Sequence, residues 1–199
     1  MSRDYKKIIS EVKRIVKAAN DSPKNKYGKT VWPYHLELVV RYALALGRKL
    51  KTDLEVLELA AYLHDFAALK EAKNDKEHHI IGARLAGELL AKLGLEKEKI
   101  AAVKECILRH RGSVPLKKKT LEAKIISSAD AMSHFYYIPD MFFLAYGVHR
   151  LETDEGARWL MEKLRRSYKK IMPEGREMIK KDKKIFFEIL NQILKNEKK

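Results

Sequence analysis

The chain has 199 residues, of which 46% are hydrophobic and 35% are charged, a composition typical of a globular protein and not of a disordered one. No apolar run approaches the roughly 20 residues that a membrane-spanning helix needs, and a single cysteine, Cys106, excludes a disulfide framework or a thiolate metal cluster. The first 20 residues carry charges throughout, unlike the apolar stretch of a signal peptide. We therefore expect a cytoplasmic protein that does not bind membranes.

The charge is strongly positive, with 42 Lys and Arg residues against 27 Asp and Glu residues and a formal net charge of +15. The excess is uneven, since the segment 158–184 holds 11 basic and 4 acidic residues. Such a surplus favours anionic partners, from a small phosphorylated molecule to nucleic acid, without choosing among them. The oligomeric state is left open.

Apolar residues recur at helical spacing in the first third of the chain. Pro33 is placed to open one helix that ends between residues 47 and 51, because proline is tolerated in the first helical turn. Asp53 is a candidate cap for the next helix, which would carry His64 and Asp65 towards its end. The helix that precedes both is predicted from an apolar stripe made of Ile8, Val12, Ile15 and Ala19.

Helical periodicity continues through the rest of the chain. A helix over about 78–93 should stop at Gly94, and another should lead to His110. The segment 111–120 reads as a loop, with Gly112 and Pro115 as breakers. Thr120 is a candidate cap for a helix that includes Phe135, and two more helices are predicted over about 154–171 and 174–194. The prediction is an all-α fold in one domain, 1–199, whose last part, 152–199, forms basic helices.

Six polar residues interrupt the apolar helical faces, each at or near a predicted helix end. Placing such groups in an apolar environment is costly unless they are hydrogen-bonded, paired or bound to a metal. Side chains from several helix ends can converge on one pocket, and imidazole with carboxylate suits a divalent Mn, Fe, Co, Ni or Zn ion. The six residues are His35, His64, Asp65, His78, His110 and Asp130.

The order of His35, the adjacent pair His64 and Asp65, and the distant Asp130 resembles the signature of the HD-domain superfamily of metal-dependent phosphohydrolases. The resemblance covers residues 30–135. It implies a compact helical bundle in which these four residues hold a divalent metal ion. Without the pattern, His64 and Asp65 would read as a structural ion pair, and a buried ion pair is weak evidence for stability.

Two further segments sharpen the resemblance. "HHIIGARLAGELL" is similar to the helix start of the HD-GYP and dinuclear branches of the superfamily, with His78 at the ligand position; the register against Gly82 favours His78 over His79. "ILRHRGSVPLKKKTLEAKIISSAD" resembles the segment that carries an additional histidine, here His110, before the last aspartate. This implies a second ion, with Asp65 bridging the two ions and orienting the nucleophile. The alternative for His110 is an ordinary residue at a helix C-terminus.

Two departures from the superfamily pattern leave the subgroup open. Position 68 is Ala68, whereas many members have lysine or glutamate three residues after the aspartate. The chain also lacks the GYP element, which disfavours cleavage of a cyclic dinucleotide. Lys70 and Arg111 are our candidates for holding phosphate oxygens, with Arg109 and Lys124 as further basic residues near the ligands. For each of them the ordinary alternative is a solvated surface position.

The function that this resemblance implies is hydrolysis of a phosphoester in a nucleotide or a related small molecule, with Asp65 as the catalytic residue. The metal would act as a Lewis acid and lower the pKa of a bound water. One alternative is a di-iron oxygenase, because the HD fold also holds such enzymes with six His and Asp ligands. Another is a basic helical protein that binds nucleotides or nucleic acid with a structural or degenerate metal site. Ala68 and the basic segment 158–184 favour the latter.

Overall fold

The computed structural model describes residues 3–25, 27–111 and 119–196, and within them it contains eleven α-helices and no strand. The all-α prediction is confirmed. None of these helices is long and apolar enough to cross a membrane. Most of the predicted loop at 111–120 lies outside the described residues. The helices are α1 Arg3–Asn20, α2 Glu37–Leu50, α3 Leu54–Leu63, α4 Phe66–Lys70, α5 His78–Lys92, α6 Lys97–Arg109, α7 Leu121–Tyr136, α8 Ile138–Phe142, α9 Thr153–Lys170, α10 Pro173–Met178 and α11 Lys180–Asn196.

Helix α7 lies at the centre of the bundle. Every residue from 125 to 135 is buried, and helices α2, α3, α6, α9 and α11 all pack against it. A helix that is enclosed on all sides needs apolar residues around its whole circumference. Asp130, within this buried stretch, therefore lies deep in the bundle.

Local capping determines several helix ends as the sequence predicts. The Asp53 side chain accepts hydrogen bonds from two backbone N–H groups in the first turn of α3, at 2.9 and 3.2 Å. Thr120 Oγ1 accepts one from the Ala123 N–H at 3.1 Å. Gly94 follows α5 with a φ of 78°, a left-handed conformation that glycine adopts without steric cost.

Two helices that the periodicity predicts as continuous are broken, so those predictions were wrong. Helix α3 ends at Leu63 and α4 begins at Phe66, which places His64 and Asp65 in the break and not inside a helix. Asp65 has φ −106° and ψ 8°, outside the helical region. Apolar periodicity continues across such a turn, because both short helices face the same core, and it therefore does not reveal the break. The predicted helix over 174–194 is likewise divided into α10 and α11.

Helices α2 and α8 are each joined to a π-helical turn. Pro33 lies in the turn Trp32–Leu36, which runs directly into α2 and holds His35. The second turn, Phe143–Val148, follows α8. A 3-10 helix, Ala72–Glu77, leads into α5. Single π turns are frequent at functional sites because they redirect one side chain within a helix.

The small residue Gly82 allows α5 to approach the break between α3 and α4. A Cβ atom on this glycine would lie 3.4 Å from Ile107 Cγ2 and 3.7 Å from the His64 carbonyl oxygen. The first distance is already tight for a packed carbon, and a longer side chain would push α5 away. Close packing here brings His78, at the start of α5, to the same place as His64 and Asp65.

Candidate metal centre

The break between α3 and α4 fixes His64 at the centre of the bundle. Its side chain is fully buried, and Nδ1 lies 2.8 Å from the Ala61 carbonyl oxygen. A carbonyl can only accept, so Nδ1 carries the hydrogen. The opposite ring nitrogen, Nε2, lies 3.3 Å from Asp65 Oδ2.

His35 joins this pair from the π-helical turn before α2. Its Nε2 atom lies 3.1 Å from His64 Nε2 and 3.4 Å from Asp65 Oδ2. Asp130, from α7, is slightly farther away, with Oδ1 at 4.0 Å from His35 Nε2. The structure thus brings together the four residues of the sequence signature.

His78 and His110 form a second group on the other side of Asp65. Their Nε2 atoms lie 3.3 and 3.5 Å from Asp65 Oδ1 and 3.1 Å from each other. The neighbouring His79 is buried but belongs to none of the candidate metal-binding groups in the described chain. The two carboxylate oxygens of Asp65 therefore face two different histidine pairs, which is the arrangement that a bridging carboxylate needs.

The tautomers of these histidines fit a divalent ion. The Ser133 hydroxyl donates to the Asp130 carbonyl oxygen at 2.7 Å, so its oxygen accepts from His35 Nδ1 at 3.0 Å. His110 Nδ1 donates to the Ile107 carbonyl oxygen at 2.6 Å. In the neutral imidazole, a hydrogen on Nδ1 leaves a lone pair on Nε2. In metal proteins the same outer hydrogen bonds fix the ligand tautomer.

Lone pairs that face each other at 3.1 Å repel unless a cation or a proton lies between them. His35 and His64 present such a pair, and His110 presents its lone pair to His78. Four imidazole nitrogens and two carboxylates form a mixed N and O donor set that suits borderline divalent metals of the first transition row. The residues present therefore fit a divalent metal ion on each side of Asp65.

Charge strongly couples these groups. Burial disfavours the charged form of His64, but the Asp65 carboxylate more than offsets this and raises the pKa of His64 to about 9. Burial alone would raise the pKa of Asp65, yet His64, with His110 and His35, holds it well below its usual value. Burial lowers the pKa of His110. One proton shared near His64 and Asp65 thus partly replaces the positive charge that a metal ion would supply.

Asp130 is held by a residue that sequence reasoning did not identify. Lys170, in the last turn of α9, places its ammonium 3.3 Å from Asp130 Oδ2. Burial would raise the pKa of Asp130, but Lys170, and then His134, lower it below its ordinary value. Oδ1 of the same carboxylate faces His35. Lys170 therefore keeps Asp130 ionised and leaves one oxygen directed at the centre.

His134 lies one helical turn after Asp130 on α7. From this spacing alone we would place it no closer than around the metal ligands, but the structure brings it next to them. Its Nε2 atom is 3.7 Å from Asp130 Oδ1, and its ring is stacked on the His35 ring with centroids 6.0 Å apart. Nδ1 is hydrogen-bonded to the Ser167 hydroxyl at 2.9 Å. His35, Asp130 and His134 form a third group whose donor atoms could hold an ion.

A cavity of about 380 Å³ opens over these groups. It has a polar part around the His and Asp residues, a cationic part on α9, and an apolar part along the second π-helical turn. Its size lies at the lower end of the ~300–1,000 Å³ range of small-molecule sites. The cationic and apolar lining residues are Arg111, Lys163, Arg166, Lys170, Tyr27, Val31, Met141, Phe143, Leu144, Val148 and Trp159.

The basic residues predicted to hold phosphate are placed differently from one another. Arg111 lines the cavity and donates a hydrogen bond to the Lys76 carbonyl oxygen. Lys70 is exposed, with its ammonium 5.5 Å from the Phe66 ring centroid, and it does not line this cavity. Lys124 is exposed near the start of α7. Arg109 is paired with Glu105 one turn earlier on α6.

The cations on α9 were missed because lysine is the commonest surface residue in this chain. A signal is nevertheless present: Trp159, Lys163, Ser167 and Lys170 recur at spacings of four, four and three residues, which places them on one helical face. All four line the cavity. Part of the basic segment 158–184 thus faces the centre, and only the remainder is solvent-exposed.

Comparison with known proteins identifies the fold. A model of the HD domain matches residues 34–134. The crystal structure of a predicted HD superfamily hydrolase from an uncultured Thermotogales bacterium is 23% identical, covering 77% of this chain and 83% of that one, with a TM-score of 0.57. A protein structure from Lactobacillus plantarum is 16% identical, covering 96% of this chain and 95% of that one, with a TM-score of 0.67.

Among curated proteins, none matches the sequence. The matched segment 34–134 spans half of the chain. It includes the four histidines and the two aspartates that the sequence predicts as metal ligands. At these identities, the similarity to the two solved structures shows the fold alone. On the family match, with the helical bundle and the clustered histidines and aspartates in agreement, the chain belongs to the HD-domain family.

Proposed function

We propose that this protein is a metal-dependent phosphohydrolase that cleaves a phosphoester of a nucleotide or a related small molecule. The observation that carries the proposal is the position of Asp65, whose two carboxylate oxygens face two separate histidine pairs at 3.3–3.5 Å. A centre for two ions beside a cationic cavity suits in-line displacement at phosphorus. HD superfamily membership supports a hydrolytic reaction over a purely structural site.

His35, His64, Asp65 and Asp130 would hold one ion, and Asp65, His78 and His110 would hold the second. Mn, Fe, Co, Ni or Zn bound there would supply Lewis acidity and would lower the pKa of a water molecule, so that it could act as nucleophile near neutral pH. Asp65, between the two positions, orients the attacking oxygen. Lys170 keeps Asp130 ionised, and the Nδ1 hydrogen bonds of His35, His64 and His110 direct their Nε2 atoms towards the centre.

The cations around the cavity then bind the phosphoryl oxygens, on which negative charge is spread during the transfer. Helix α9 and the second π-helical turn line this cavity, and charge interactions are stronger beside such walls than in open water. The chain itself thus supplies orientation and electrostatic stabilisation, and the ions supply the activated water.

The test is to load purified protein separately with each candidate metal, count the bound ions by elemental mass spectrometry, and assay phosphate release from a panel of phosphomonoesters, phosphodiesters and nucleotides. We expect two ions per chain and metal-dependent release of phosphate. Asp65→Asn should lose at least one ion and lower kcat/KM by more than about a thousandfold, because both the second ion and the orientation of water depend on it.

Three results would count against the proposal. Iron-dependent oxygen consumption without phosphate release would favour the oxygenase chemistry instead. Salt-sensitive binding of nucleic acid by metal-free protein, with no turnover of any phosphoester, would favour the binding-protein alternative. Asp65→Asn that keeps both ions and full activity would show that the geometry around this carboxylate is unrelated to the reaction.

A further inference from the structure

Lys163 is a cation of the cavity wall with no anionic partner in the described part of the chain. Its side chain is half-buried, and no described carboxylate lies within ion-pair distance of its ammonium. The ammonium lies 5.8 Å from the centroid of the Trp159 ring. Removing an ammonium from water without a partner costs free energy. A cavity that holds such a group is built for an anionic ligand.

The charge of Lys163 acts on the ionisable groups at the candidate metal centre. Burial lowers the pKa of Lys163, the carboxylate of Asp130 acts in the opposite direction, and the like charge of Lys170 lowers it further. After burial, Lys163 is also the largest influence that lowers the pKa of His134. Lys163 thus lies within electrostatic range of the groups that would hold the ion, whereas Lys170 is already engaged by Asp130.

Helix α4 contributes no charge to this cavity. Ala68, three residues after Asp65, lines the wall with a methyl group. Lys163, from α9, enters the same cavity. The small residue at position 68 leaves the space in which a phosphoryl group can meet the ammonium from α9.

The same face of α9 also supplies an aromatic surface. Trp159 precedes Lys163 by four residues, or about 6 Å along the helix axis. Its ring is half-buried, lies with its centroid 4.9 Å from that of the His149 ring, and lines the cavity together with Phe143, Leu144 and Val148. With a volume of about 380 Å³ and one apolar wall, the cavity suits an anionic group joined to a single flat, uncharged group.

We propose that α9 is the substrate-recognition helix: Lys163 binds non-bridging phosphate oxygens and the Trp159 wall receives a flat organic group. The substrate class is then a phosphomonoester with one planar aromatic group, of the size of a nucleoside monophosphate, and not a diester with two large substituents. This inference rests on the proposed function for the reaction, but its binding step can be measured without turnover.

The binding test is calorimetric titration of inorganic phosphate into protein loaded with metal. Lys163→Met keeps the apolar stem and removes the charge, and we expect it to weaken phosphate binding about ten- to a hundredfold, as for loss of a hydrogen bond to a charged group. Lys163→Arg should restore much of the affinity. Lys169→Met, exposed on the same helix, is the matched control and should bind phosphate as the wild type does.

The aromatic part is tested by kinetics with phenyl phosphate and ethyl phosphate. Trp159→Ala should raise KM for phenyl phosphate severalfold and leave KM for ethyl phosphate nearly unchanged. Metal content, measured by elemental mass spectrometry, should stay at the wild-type value in both variants, because neither residue belongs to a candidate metal-binding group.

The outcomes separate the two proposals. Phosphate release by the wild type with unchanged phosphate affinity in Lys163→Met would overturn the recognition role and leave the hydrolase standing. Lys163-dependent phosphate binding without hydrolysis of any phosphoester would support the recognition role and overturn the hydrolase. If Lys163→Met lost bound metal as well as phosphate affinity, the recognition role would also be refuted, because Lys163 would then stabilise the metal centre and not bind the ligand.

Discussion

The two walls of the cavity are built from different kinds of side chain. One wall is formed by the π-helical turn before α2, the junction of α3 and α4, the start of α5, the end of α6 and the middle of α7. Its histidines and aspartates are mostly buried and lie 3.1–4.0 Å apart. On the wall formed by α9, lysines and arginine reach in on long, flexible chains and keep part of their surface in water. The first wall suits chemistry that needs fixed geometry, and the second suits recognition that adjusts to a ligand.

The difference follows from the desolvation cost that the side chains of each wall must offset. An imidazole in the core loses its hydration and is stabilised only by outer hydrogen bonds, such as that from His64 to the Ala61 carbonyl oxygen. A lysine at the rim keeps its hydration until a ligand displaces it. We therefore expect changes in the histidine wall to have larger effects than changes in the α9 wall.

After Asp65→Asn, the largest effect is expected within the histidine wall at His78, whose neighbour His79 provides a control. His78→Gln should remove one of the two ions and lower kcat/KM at least about a hundredfold, because Nε2 of His78 lies 3.3 Å from Asp65 Oδ1. The measurement is metal content together with phosphate release. His79→Gln is the matched control: it replaces a buried histidine one position away that belongs to no candidate metal-binding group in the described chain.

Equal losses in the two variants would contradict this assignment, since His78 would then matter only for packing at the start of α5. Circular dichroism and a denaturation curve for each variant separate a loss of the ion from a loss of the fold. A His78→Gln variant that keeps both ions would show that His78 does not hold the second ion.

The pH dependence of stability is the next largest effect, and it should differ in sign with and without metal. The folded pKa of His64 is about 9, above its ordinary 6.5, so its stabilisation is complete below pH 6.5 and is lost as the pH rises through 9. The free energy of unfolding of metal-free protein should therefore fall by up to about 3 kcal/mol over this range. Burial lowers the pKa of His110, and this shift changes the free energy of unfolding only below pH 6.5.

With metal in excess the trend should reverse, because the ion competes with the proton for His64 Nε2 and binds more tightly as the pH rises. Urea denaturation at pH 6.5, 7.5 and 8.5, with chelator or with metal, makes the comparison. Metal-free stability that rises with pH in this window would contradict the charge coupling between His64 and Asp65. His64→Gln should abolish the slope of the metal-free protein.

Much of the histidine wall could be predicted from the sequence, because polar residues stand out within apolar helices. His35, the pair His64 and Asp65, and Asp130 interrupt such faces at the spacing of a known signature. Capping by Asp53 could also be predicted, since an N-cap depends on only a few neighbouring residues. The turn at Asp65 could not be predicted, because the apolar periodicity is the same on both sides of it.

The α9 wall could not be assigned, because helical spacing places its cations on one face but does not show which face meets the centre. Lys163 and Lys170 are two of 42 basic residues, and only the packing of α9 against α7 decides which of them face the centre. Such positions are set by tertiary contacts and not by residue type.

The smallest effect is expected within the α9 wall itself, at Arg166. This residue lines the cavity, but its side chain is 63% exposed and pairs with Glu162 at 3.5 Å one turn earlier. An exposed pair of this kind contributes about 0.3–0.5 kcal/mol, so Arg166→Ala should change phosphate affinity less than threefold. Calorimetric titration alongside Lys163→Met gives the direct comparison. Equal losses in the two variants would mean that the α9 wall attracts anions through its summed positive field and not through one buried ammonium, and phosphate affinity would then decline steeply with added salt for both.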